Sequence, residues 1–105
     1  MTMTLKPMKR LRIAIQASRD LRRIRQYIAK TNPRAADDFV SQIIDKMDWI
    51  AEVDFTGVPR DDISPGLRAL PFRDRCIYFR RYGDIIIIVR ILHGAQDTET
   101  QSFSG

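Results

Sequence analysis

The spacing of apolar residues along this chain changes period more than once. Leu11, Ile13 and Ile15 alternate with Arg10, Arg12 and Ala14, which predicts a first strand with one buried face. Leu21, Ile24 and Ile28 then recur at helical spacing among Arg19, Arg22, Arg23 and Arg25, predicting a helix with Ser18 as N-cap, Asp20 in its first turn and an end near Thr31. A second helix starts at Asn32, a capping residue, followed by Pro33 where a missing N–H costs nothing, with Asp37 and Asp38 close behind. Its apolar stripe is Ala36, Phe39 or Val40, Ile43, Met47 and Ile50, leaving Asp38, Asp45 and Asp48 to water or to the first helix. So short a connection makes the two helices an antiparallel hairpin.

Gly57, Pro59, Pro65 and Gly66 break the pattern between Phe55 and Gly66, and Ser64-Pro65-Gly66-Leu67 suits a type II turn. Leu67 to Phe72 read as a short strand. Cys76 to Arg81 and Ile85 to Leu92 read as a hairpin, because β-branched residues suit a pleated surface. A three-residue loop, Tyr82-Gly83-Asp84, sets Arg81 opposite Ile85 and gives a clean core wall of Ile77, Phe79, Ile85, Ile87, Val89 and Ile91. A two-residue Gly83-Asp84 loop mixes Arg75 and Arg81 with Phe79 and Ile88, so the longer loop is preferred. Cys76, Tyr78, Arg80, Ile86, Ile88, Arg90 and Leu92 then share the face away from the helices. That face is apolar in its middle and basic around it, as an interaction surface is; a chain terminus or a self-dimer is the alternative cover. The whole is a single α+β domain over residues 1–105, of order β-α-α-β-β-β: an N-terminal strand, the helical hairpin and a three-stranded antiparallel meander, in one sheet with the helices on one face.

At 105 residues and 12.2 kDa the chain can bury one modest core. Cys76 is the one cysteine, so neither an intramolecular disulfide nor a cysteine metal site can form; with no secretory signal or membrane span in view, cytoplasmic localisation is expected. No phosphate-binding glycine loop or metal-ligand spacing is present, and no metal or cofactor is expected. The net charge of +5 is unevenly spread. Residues 1–34 hold ten bases and one acid, residues 35–62 two bases and eight acids. Fourteen of the eighteen bases are arginine, suited to carboxylate or phosphate, so the basic third either pairs with the acidic middle or meets an acidic partner. A plain nucleic-acid-binding module is disfavoured because stacking aromatics are not interleaved with the arginines.

The stretch ASRDLRRIRQYIAKTNPRAADDF, followed by PGLR, IYFRR and VRILHGAQD, resembles in order and spacing the ParE branch of the RelE/ParE toxin superfamily, over about Leu11 to Asp97. The resemblance implies the toxin of a bacterial type II toxin-antitoxin pair that arrests growth by inhibiting DNA gyrase. It further implies a small antitoxin partner with a DNA-binding half and an acidic, amphipathic tail, so that operator DNA is contacted only through the antitoxin. The expected antitoxin-binding residues are Tyr78, Arg80, Ile86, Ile88, Arg90 and Leu92.

RelE-like relatives instead cleave ribosome-bound messenger, which without a metal needs a base, an acid and cations in one cleft. Arg80 and Arg90 suit phosphate and His93 stands just past the strand; these three are the residues for target binding or for that alternative. No tyrosine follows Tyr82, and the constellation is incomplete. No catalytic residue is therefore assigned, and a non-enzymatic inhibitor is favoured. His93, as a lone histidine at a strand end, reads first as a turn residue bonding nearby backbone. Gly94 is expected to take a backbone shape other residues resist, and Asp97 to pair with an arginine of the meander.

Overall fold

The computed structural model describes residues 9–94 and 98–104. The chain runs β1 (Arg10–Ile13), α1 (Ile15–Ala29), α2 (Pro33–Glu52), β2 (Val58–Pro59), β3 (Arg68–Phe72), β4 (Arg75–Tyr82), β5 (Ile85–His93) and a short 3-10 turn, Thr98–Thr100. The strands form one sheet in the order β1-β5-β4-β3-β2, mixed because β1 pairs parallel with β5 while the others are antiparallel. The expected α+β order holds, with β2 an extra edge strand inside the segment expected to be loop. Asp97 lies outside the described residues.

The second helix starts as its sequence dictates: Asn32 Oδ1 accepts from the Ala35 N–H at 3.1 Å, with Pro33 in the first turn. Ala36, Ile43, Met47 and Ile50 are buried, and Phe39 and Val40 both pack at the margin of the core. Arg25 of α1 meets Asp37 of α2 at 2.9 Å, tying the antiparallel hairpin together.

The first helix starts earlier than its caps suggest. Ala14 is the N-cap, with no side-chain capping bond, and Ser18 lies inside the helix, its N–H on the Ala14 carbonyl. Ile15 therefore belongs to α1 and is 72% exposed, and of β1 only Leu11 packs against the core.

The hairpin register also differs from expectation. Tyr82 pairs with Ile85, leaving a two-residue Gly83-Asp84 loop with Gly83 at φ +57° in the first central position, where such turns favour glycine. Farther along, Phe79 pairs with Ile88 but Tyr78 with Arg90, so Val89 is an extra residue on β5, a bulge that shifts the strand's phase by one. The helix-side core accordingly takes Ile86 and Ile88 before the bulge and Ile91 after it, with Ile77 and Phe79 from β4. Ile87 and Val89, expected in that wall, pack on the other face with Leu67, Ala69, Tyr78, Leu92 and Phe103. The mixing that counted against the short loop is tolerated because Arg75 and Arg81 stand at the two ends of β4. There Arg81 bonds Asp54, and Arg75 lies 3.8 Å from Asp74.

The Ser64–Leu67 turn is as expected, with the Leu67 N–H on the Ser64 carbonyl at 3.0 Å and Gly66 at φ +78°. Gly94, by contrast, keeps a negative φ and simply donates its N–H to the Asp74 carbonyl.

Candidate functional site

The expected interaction face is covered by the chain itself. Phe103 is only 7% exposed and sits edge-on to Tyr78 with ring centroids 5.1 Å apart. Arg80 pins this segment: its guanidinium donates to the Phe103 carbonyl at 2.9 Å, the Pro65 carbonyl at 2.7 Å and the Ser64 hydroxyl at 2.8 Å. A chain terminus, the alternative cover, is thus what occupies the outer face. Ile86 and Ile88 are not on that face at all; they are fully buried beneath the helices, moved there by the two-residue loop.

Arg90 keeps the outer-face register expected for it, paired with Tyr78, but it is not open to a partner. It is 4% exposed and reaches around the sheet edge to Asp20 of α1, giving Nε to one carboxylate oxygen at 2.7 Å and an Nη to the other at 2.9 Å. The edge is open there because β1 pairs with β5 only as far as Ile88, after which the chain turns into α1. Asp20 continues the ladder with a side chain, accepting the Ile91 N–H at 2.9 Å, and a further Arg90 Nη donates to the Ser102 carbonyl. The hydrogen bonds it donates to Asp20 outweigh burial and hold the Arg90 guanidinium above its ordinary pKa.

On the outer face, burial pushes the Cys76 thiol and the Tyr78 phenol up from their usual values, so neither is an activated nucleophile or base near neutral pH. His93 pairs across the hairpin with Arg75, on the helix side of the sheet, and its Nε2 lies 3.4 Å from Asp74. Arg80, Arg90 and His93 are therefore not brought together: Arg80 holds the outer segment, Arg90 the edge, and His93 lines a separate cleft with Arg23, Ile24, Tyr27, Asp74 and Arg75.

Sequence reasoning missed Asp20 and Phe103. Asp20 reads as an ordinary first-turn acid; its signal is that it is the one acid in a first third holding ten bases. Phe103 is a lone aromatic in a polar tail, and an aromatic there is a signal that the tail docks.

A helical hairpin on one face of a bulged mixed sheet, with a C-terminal segment pinned by arginines on the other, defines a small α+β domain of the toxin class suggested by the motifs. The chain belongs to the family of the ParE toxin of type II toxin-antitoxin systems, parDE, whose sequence model matches residues 11–98. A solved structure of the chromosomal ParDE system from P. aeruginosa is similar to it, with a TM-score of 0.70 and 28% identity over 82% of this chain and 96% of that one. No curated protein sequence matches it. The chain is thus a toxin of the type II class, for which an antitoxin is the implied partner. Among the described residues no helix is long and apolar enough to cross a membrane.

Proposed function

We propose that this toxin acts without catalysis, by binding DNA gyrase in the cytoplasm, and that its cognate antitoxin neutralises it by covering its surface. The observation that carries the non-enzymatic reading is the engagement of Arg80 and Arg90. Both cations that a nuclease would turn toward a phosphate already donate to this chain, one to the Ser64–Pro65 turn and Phe103, the other to Asp20 and Ser102. His93 stands across the sheet from Arg80, so a base and a phosphate clamp do not converge.

For the antitoxin, the outer face remains the proposed dock, centred on Tyr78, Arg80 and Leu92 and reached over, or in place of, the Phe103 segment. Ile86, Ile88 and Arg90 lie under the helices or at the edge and act through the shape of that face. Expressed alone, the chain is expected to arrest a bacterial host; co-expressed with its neighbouring antitoxin, it is expected to be tolerated. Within that assay, His93→Gln keeps a neutral hydrogen-bonding side chain near Asp74 but cannot move a proton near neutral pH, and is expected to leave toxicity within a few-fold of the parent. A nuclease relying on His93 would lose on the order of 10²-fold or more. Loss of toxicity by a folded His93→Gln chain would overturn the non-enzymatic reading.

A further inference from the structure

The exposed surface of α1 carries no acid. Its one carboxylate, Asp20, is buried against Arg90, and Arg25 pairs with Asp37. Among the described residues, Arg19, Arg22 and Arg23 have no carboxylate within salt-bridge distance. Arg19, Arg23 and Tyr27 follow one another at four-residue spacing and so form a single stripe along the helix.

That stripe ends in a cleft of about 410 Å³, with Arg23, Ile24 and Tyr27 on one wall and Asp74, Arg75 and His93 on the other. The Arg75 side chain is 12% exposed, and its buried Nε makes no hydrogen bond among the described residues; Asp74, the one acid among the described residues that line the cleft, is 3.8 Å away and also faces His93 Nε2 at 3.4 Å. Tyr27 leaves 71% of its surface in water, directly beside Arg23 in the cleft wall. In the sequence this tyrosine looks detached from the arginines; in the fold it joins two of them around one opening.

We infer that this cleft binds single-stranded nucleic acid, with a phosphate between Arg23 and Arg75, the adjoining base against the Tyr27 ring and the strand continuing along α1 past Arg19. Planar guanidinium groups suit phosphate, and an exposed ring beside them supplies the stacking platform that sequence-tolerant strand binders use. A duplex offers no free base face to Tyr27. An acidic peptide would use the arginines but gains little from the ring.

The test is fluorescence anisotropy of a labelled twelve-residue oligothymidylate with the free full-length chain across a salt series. Oligothymidylate is expected to bind more tightly than a duplex of equal length. Tyr27→Ala is expected to weaken it about tenfold, by loss of base stacking. Arg23→Ala is expected to lower the slope of log affinity against log salt by about one. Both positions are exposed, so circular dichroism of the variants is expected to match the parent, and Arg34→Ala, on the exposed start of α2, is the control of equal charge. Three results would overturn the proposal: Tyr27→Ala and Arg23→Ala no worse than Arg34→Ala, thymidine monophosphate bound as tightly as the oligonucleotide, or oligoglutamate bound at least as tightly through the same residues. The second would assign the cleft to a free nucleotide and the third to an acidic protein.

Discussion

Arg90→Met is expected to lower folding stability by about 3–5 kcal/mol, because it leaves the Asp20 carboxylate buried and without its bidentate partner. Methionine preserves much of the length and volume of the arginine stem, so a cavity contributes little. The loss should be largely electrostatic, and a second substitution can show this. In Arg90→Met/Asp20→Asn the buried charge is gone while Asn Oδ1 can still accept the Ile91 N–H, so the double variant is expected to be more stable than Arg90→Met alone by more than about 1 kcal/mol. Urea denaturation of the three chains, compared by midpoint at constant slope, makes the measurement. A loss below about 1 kcal/mol for Arg90→Met would mean that Arg90 is the exposed, partner-binding arginine its sequence position suggested.

The second large effect is expected at Gly57. A Cβ there would lie 2.6 Å from Cζ of Phe79 and 3.0 Å from the Ala69 carbonyl oxygen, and the backbone φ is +72°. Phe79 is fully buried, in tilted contact with Phe55, and cannot swing aside without opening the helix-side core. Gly57→Ala thus combines left-handed strain with overpacking, for about 2–4 kcal/mol in total. Gly83→Ala carries the strain alone, since its φ is +57° and nothing lies within 4 Å of the added carbon; about 1 kcal/mol is expected. Thermal denaturation of both variants separates the two contributions. Equal losses at the two positions would show that close packing against Phe79 is not what requires a glycine at 57.

The helical hairpin was legible because its signals are local. Asn32-Pro33 marks the start of α2, and its stripe needs nothing beyond helical spacing. The sheet was legible in order but not in phase. A strict two-residue period cannot anticipate an extra residue at Val89, and by that period alone the two-residue loop looks unfavourable because it sets Arg75 and Arg81 beside Phe79. What makes that arrangement tolerable for Arg81 is Asp54, 27 residues away in the chain. The face of Arg90 was legible, but its burial was not. Its partner is 70 residues distant, and nothing in the sequence shows that β1 stops pairing at Ile88 and leaves the edge for Asp20 to fill. Of the expected site, Tyr78, Arg80, Arg90 and Leu92 do share the outer face, Arg90 buried there against Asp20, while Ile86 and Ile88 crossed to the core with the change of register. His93, expected just past the strand as a turn residue, is instead the last residue of β5, paired with Arg75 and facing the Asp74 carboxylate. Its neighbours in the cleft, Arg23 and Tyr27, come from a helix whose sequence alone gave no reason to place them there.

The most direct test of the proposed action uses the purified chain in two assays side by side. With gyrase and relaxed plasmid but no ribosomes, the toxin is expected to inhibit supercoiling, and its antitoxin to restore it; with programmed ribosomes, messenger is expected to remain intact. Messenger cut on the ribosome while supercoiling proceeds unhindered would contradict the account and assign the chain the chemistry of its RelE-like relatives.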